Sequence, residues 1–141
     1  MRARDDHLEH LKANLEASPF WRHMGIKLRE LSEGAARLEM PISPELMNSN
    51  GTLHGGAVAS LLDAVIGVTI RSKWSTRIST VYLTTHYVNP VREGVLYATA
   101  QIADVTRKRI VPVEARAFDA EGRVIAVALG AYAVREEPDA R

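Results

Sequence analysis

The stretch Asn48-Ser49-Asn50-Gly51-Thr52-Leu53-His54-Gly55-Gly56 runs directly into Ala57-Val58-Ala59-Ser60-Leu61-Leu62-Asp63-Ala64-Val65-Ile66-Gly67-Val68-Thr69-Ile70, and its reading decides the fold. A polar, glycine-rich loop leads into about four turns of helix that is apolar on every face, and such a helix has to be enclosed by protein or lipid. Arg71, Ser72 and Lys73 close the run before it reaches the roughly 20 apolar residues of a membrane span. Enclosure inside a globular domain is therefore expected. Asp63 is the one ionisable group in the helical run. A carboxylate there is costly to desolvate unless it is paired, hydrogen-bonded or put to use.

The flanking sequence supplies the enclosure. Upstream, residues 25–31 and 36–42 alternate polar and apolar around a turn at Ser32-Glu33-Gly34, which reads as a hairpin with one buried face. Before it, Leu8, Leu11 and Leu15 recur at spacings of three and four, giving a short amphipathic helix over about 5–17 that Pro19 stops. Downstream, residues 77–89 are β-rich, and alternation puts Val81, Leu83, Thr85 and Tyr87 on one side and Thr80, Tyr82, Thr84 and His86 on the other.

Two further strands offer the small inward faces Leu96, Ala98, Ala100, Ile102 and Val111, Val113, Ala115, Ala117. Gly122 turns the chain into a last strand over 124–134, and Pro112 points to an edge or a bulge within its strand. Small inward residues let a sheet curl closely around a thick object. The expected fold is α+β, a long central helix wrapped by a curved antiparallel sheet of five or six strands, in one domain over 1–141 with residues 136–141 as a frayed tail.

Composition narrows the function. Eighteen basic and seventeen acidic residues give a net charge of +1, which removes the argument for general binding to nucleic acid or a membrane surface. With no cysteine there is no disulfide framework, zinc-thiolate site or thiol nucleophile, and the first residues lack the apolar core of a secretory signal. A cytoplasmic protein is expected. His7 and His10 sit on a polar helix and His86 stands alone on a strand, so no metal site is expected.

The chemistry gathers on the opening stretch. Amides in a first helical turn have no intrahelical partners, and Gly55 and Gly56 let a ligand approach them, which suits a developing oxyanion. Close packing of the loop alone would also use two glycines there. Asp63 lies eight residues beyond Gly55, roughly 12 Å along the axis at about 1.5 Å per residue, so one helix cannot put both groups on one carbonyl. If the two act together, a second helix runs antiparallel beside the first, and a two-fold dimer makes two identical sites. Asp63 would then activate a water or attack the carbonyl itself. His54 reads as a residue that fixes the loop by hydrogen bonding.

Taken together, Asn48, Gly51, His54-Gly55-Gly56 and Asp63, followed by Thr80-Val81-x-Leu83 and Tyr87-x-x-Pro90, resemble the hotdog-fold acyl-CoA thioesterases of the phenylacetate-pathway and 4-hydroxybenzoyl-CoA thioesterase type. The resemblance runs from about Gly25 to Ala133. It implies hydrolysis of acyl-CoA to free acid and coenzyme A with no metal or bound cofactor, in a homodimer or a dimer of dimers. By resemblance, Asp63 is the catalytic carboxylate and Gly55 the amide that polarises the thioester carbonyl from the partner chain. Asn48 would help hold the reacting water or carbonyl, and Thr80 would help orient the nucleophilic water.

His54 and Gly56 belong to the substrate-binding loop on the same resemblance. Arg107, Lys108 and Arg109 fall where many relatives carry a Gly-Arg pair, with Arg107 in place of the glycine. Three successive cations suit the phosphates of coenzyme A, or simply form a solvated turn. The rival reading is a hotdog module that binds or senses an acyl-CoA without hydrolysing it.

Overall fold

The computed structural model describes residues 2–74, 76–106 and 108–135. The chain runs through α1 (Arg2–Glu16), α2 (Pro19–Met24), β1 (Lys27–Ser32), β2 (Ala35–Pro41), α3 (Gly55–Lys73), β3 (Arg77–Tyr87), β4 (Val95–Ile102), β5 (Ile110–Phe118) and β6 (Val124–Arg135). The strands form one antiparallel sheet in the order β1-β2-β4-β5-β6-β3, so β1 and β3 are its edges. The sheet curves around α3, the hotdog architecture expected from the sequence.

The core lies between helix and sheet. Leu61, Leu62, Val65, Ile66 and Ile70 of α3 are sealed against Leu38, Met40, Leu96, Ala98, Val111, Val113 and Ala117 of the strands. Helix packing here is the main stabilising element, because burial of a leucine-sized side chain contributes about 1.5–3 kcal/mol. Leu61 has no exposed surface. Leu61→Ala is expected to lower the unfolding free energy by about 2–5 kcal/mol, read from the midpoint shift in a urea titration; an unmoved midpoint would place the core elsewhere.

The enclosure of α3 is incomplete in one direction. Ala59, Ser60, Asp63, Ala64, Gly67 and Arg71 are only partly covered, and at spacings of three and four they form one stripe along the helix. The helix is long and apolar enough to cross a bilayer on length and composition, but the sheet covers its other faces.

Three local features differ from the sequence reading. Pro19 both follows the first helix and opens a second, α2, as a proline at the first helical position does; Gly25 at φ +78° ends it. Pro112 lies in β5, an interior strand rather than an edge. Its carbonyl accepts from the Ala103 amide just past the end of β4, so its missing N–H faces a place where the neighbouring strand has already stopped. The pairing of β3 with β6 slips between Thr80 and Tyr82, placing an extra residue, Val81, in β3. Regular alternation therefore fails there: Val81 is 55% exposed, and Thr80 in its place shares the helix-facing side with Leu83.

Candidate active site

The loop before α3 is built by its own side chains. Asn48 Oδ1 accepts from the amides of Asn50 (2.9 Å) and Thr52 (3.1 Å), and Asn48 Nδ2 donates to Thr52 Oγ1 at 2.8 Å. This is the local side-chain-to-backbone turn that asparagine favours. Gly51, at φ +75°, completes it. Backbone bonds from Leu53 to the Val91 carbonyl and from His54 to the Leu46 carbonyl, both 2.8 Å, fix the loop on the body of the fold.

His54 is the N-cap of α3: its Nδ1 accepts from the Gly56 amide at 2.8 Å. A Cβ on Gly56 would lie 2.9 Å from that nitrogen, so the cap requires glycine. The two glycines thereby separate in role. Gly56 spends its N–H on His54, whereas the Gly55 N–H has no recorded protein partner among the described residues. Tyr87 leans over Gly55, its hydroxyl donating to the Gly55 carbonyl at 3.0 Å and its ring 3.2 Å from where a Cβ would stand. Asn48, Gly55, Val58, Tyr87, Val88 and Ile125 border a cleft of 340 Å³ at this end of the helix.

Asp63 is two turns further on, in the partly covered stripe. Thr80 Oγ1 donates to Asp63 Oδ1 at 2.8 Å, and the Tyr132 hydroxyl donates to the same oxygen. The bulge at Val81 makes this possible, because it brings Thr80 opposite Tyr132 with both side chains facing the helix. Tyr132 is 1% exposed, and burial, reinforced by the neighbouring carboxylate, pushes its phenol well above the ordinary tyrosine range. It stays protonated, hence a donor, at any working pH. Gly130, two residues earlier on the same strand, leaves room for its ring, since a Cβ there would stand 2.9 Å from Tyr132 Cε1.

Sequence reasoning did not find Tyr132. The available signal was one phenol on the inward face Ala126, Ala128, Gly130, Tyr132, Val134, which is otherwise small or apolar.

The expected site residues thus fall into two groups on one chain: Asn48, His54, Gly55 and Gly56 at the start of α3, and Asp63 with Thr80 midway along it. Among the described residues, the expected cations have no recorded bond to either group. Arg107 is outside the described residues, Lys108 pairs with Asp104 at 2.7 Å, and Arg109 is exposed. The Lys108 ammonium and the Thr106 amide hold the Asp104 carboxyl down at about 2. The expected tail at 136–141 is likewise outside the described residues.

Comparison with known proteins follows the same outline. A family model described as a domain of unknown function, DUF4442, matches residues 10–132. A Halobacterium salinarum protein named "Putative esterase" is 30% identical over 123 residues, 79% of this chain and 81% of that one. A solved structure described as coming from the thioesterase superfamily is 27% identical, with a TM-score of 0.84 over 92% of this chain and 99% of that one. The Escherichia coli PaaI protein from the phenylacetic acid degradation operon shares the fold at 22% identity and a TM-score of 0.82, covering 91% and 96% of the two chains. With residues 10–132 matched by one family model and the fold shared with a thioesterase-superfamily structure, the chain belongs to the DUF4442 family and to the hotdog-fold thioesterase superfamily.

Proposed function

We propose that this protein is an acyl-CoA thioesterase whose reacting groups come from two copies of the chain. The observation that carries the reading is the pairing of a carboxylate with one oxygen fixed by two hydroxyls and a first-turn amide left without a partner among the described residues, set about 12 Å apart along one helix. An antiparallel second α3 brings the amide of one chain to the carboxylate of the other. Ser60, Ala64 and Gly67 in the partly covered stripe are small enough for two helices to lie close, and β3 is an edge strand on which Val81 and Tyr82 are exposed. Pairing of β3 with its copy would extend the sheet while aligning the stripes, in a dimer or a dimer of dimers.

Hydrolysis then needs no group from outside the protein except water. The Gly55 N–H, with the positive end of α3 behind it, stabilises the oxyanion as the thioester carbonyl is attacked. In one route Asp63 removes a proton from water, the water oxygen bonds to the carbonyl carbon, the C–S bond breaks and the thiolate leaves with its proton restored. In the other, Asp63 attacks first, the thiolate departs, and water opens the resulting anhydride. Val58, Val88 and Ile125 give the cleft an apolar wall suited to an acyl group. Lys108 and Arg109 are the described cations for the phosphates of coenzyme A, Lys108 exchanging Asp104 for them. The superfamily relatives and the esterase name of the Halobacterium protein support hydrolysis as the reaction class.

The test is release of free thiol from a panel of aromatic and aliphatic acyl-CoAs, with binding followed in parallel. Catalytic turnover of at least one member, giving acid and coenzyme A in equal amounts, is expected. Saturable binding with no thiol release from any member would make the protein a binding module instead.

A further inference from the structure

The hydrogen bonds at Asp63 are one-sided. Thr80 Oγ1 and the Tyr132 hydroxyl both donate to Oδ1, while Oδ2 has no recorded protein partner among the described residues. We infer that Tyr132 and Thr80 form a clamp that fixes the Asp63 carboxylate by Oδ1 and so selects Oδ2 as the oxygen that meets water or the thioester carbonyl. Tyr132 is a positioning residue in this account, acting through Asp63 and touching no substrate. The inference rests on the thioesterase reading above and adds to it the device that aims the acid.

The supporting geometry is independent of that reading. A carboxylate on a helix ordinarily turns about its Cβ–Cγ bond, because that torsion is broad. Two donors on one oxygen, one from β3 and one from β6, hold it against that rotation. Tyr132 is backed by rigid structure, packed in the core beside Gly130, while Thr80, itself exposed, is aimed at Asp63 by the bulge at Val81. The Tyr132 phenol, kept protonated by its burial, only donates toward the acid. Neither hydroxyl is therefore free to serve as base, and Thr80 holds the acid rather than a water. The role given to Thr80 by family resemblance changes accordingly.

The experiment uses the full chain and the best acyl-CoA from the panel, with kcat and KM measured separately. Tyr132→Phe deletes one oxygen from a buried ring, and kcat is expected to fall roughly ten- to a hundredfold, as for loss of a hydrogen bond to a charged group. KM should stay within about twofold, because substrate contacts are untouched. Thr80→Val should behave alike, and Thr80→Ser, which keeps the hydroxyl, should recover most of the rate. In an Asp63→Asn background, Tyr132→Phe should change the residual rate no further, a result that general loss of packing would not produce.

A wild-type kcat in Tyr132→Phe, with Asp63→Asn inactive, overturns the clamp while leaving the hydrolytic centre standing. Equal losses from Tyr132→Phe in both backgrounds also overturn it. Full activity in Asp63→Asn would instead remove the centre itself, and the clamp with it.

Discussion

Asp63→Asn is expected to lower kcat by about a thousandfold, in the range that loss of a positioned base or nucleophile produces, while leaving the fold and acyl-CoA binding close to wild type. The argument is steric as well as chemical. An asparagine amide has the shape of the carboxylate, and its carbonyl oxygen can accept from Thr80 and Tyr132 as Oδ1 does. The NH2 group then occupies the place of Oδ2, where it donates instead of accepting and can neither take a proton nor attack a carbonyl. Melting temperature and the dissociation constant for a non-hydrolysable acyl-CoA analogue serve as controls. A variant that folds, binds and still turns over at near the parental rate would rule out Asp63 as the acting group.

Gly55→Pro is expected to cost about a hundred- to a thousandfold in kcat, the effect of removing one oxyanion donor. Proline is tolerated at the first position of a helix, where its missing N–H is not part of the helical ladder. His54, at φ −61° and ψ 134°, already has the extended backbone that a following proline demands. The substitution thus removes a single amide hydrogen from the candidate site without breaking α3. Added atoms at Gly55 do press on the Tyr87 ring, so Gly55→Ala is the matched control, bringing the crowding and keeping the amide. Proline should be far slower than alanine. Equal rates would mean that the amide takes no part.

These two inactive variants also test the shared site when mixed. If the Asp63→Asn and Gly55→Pro chains reassociate at random, half of the dimers are mixed, and each mixed dimer holds one intact site of two. Activity should recover to about a quarter of wild type. Were amide and carboxylate supplied by the same chain, no mixed dimer would contain an intact site and nothing would recover.

The parts of this molecule that follow a simple period were legible in its sequence. Leu96, Ala98, Ala100 and Ile102, and Val111, Val113, Ala115 and Ala117, do face the helix, because β4 and β5 are regular over those residues. The helix stood out because an apolar run of that length with one acid has few places to go. What period could not show was the break in it. Nothing in Thr80-Val81-Tyr82 marks an extra residue, and a one-residue slip reverses every side chain beyond it, so Thr80 was placed on the wrong side.

Tyr132 escaped for a related reason. An aromatic residue on an inward face reads as packing, and its hydroxyl gains a role only when α3 is laid against the sheet. The stripe of Ala59, Ser60, Asp63, Ala64 and Gly67 was likewise hidden, since small residues count as apolar in any tally of helix faces. Only the surrounding strands reveal which face they fail to reach.

The irregularity at Val81 has an effect beyond aiming one hydroxyl. An eleven-residue outer strand is a standing invitation to any passing chain with unsatisfied amides. A kink interrupts that row and sharpens the local twist, so a straight newcomer can follow it for a few residues only, and a lasting match takes a strand that bends as β3 does, such as the β3 of a second copy. The same crook that orients the acid's neighbour would therefore guard the molecule against uncontrolled stacking, and straightening it should bring precipitation along with lost catalysis.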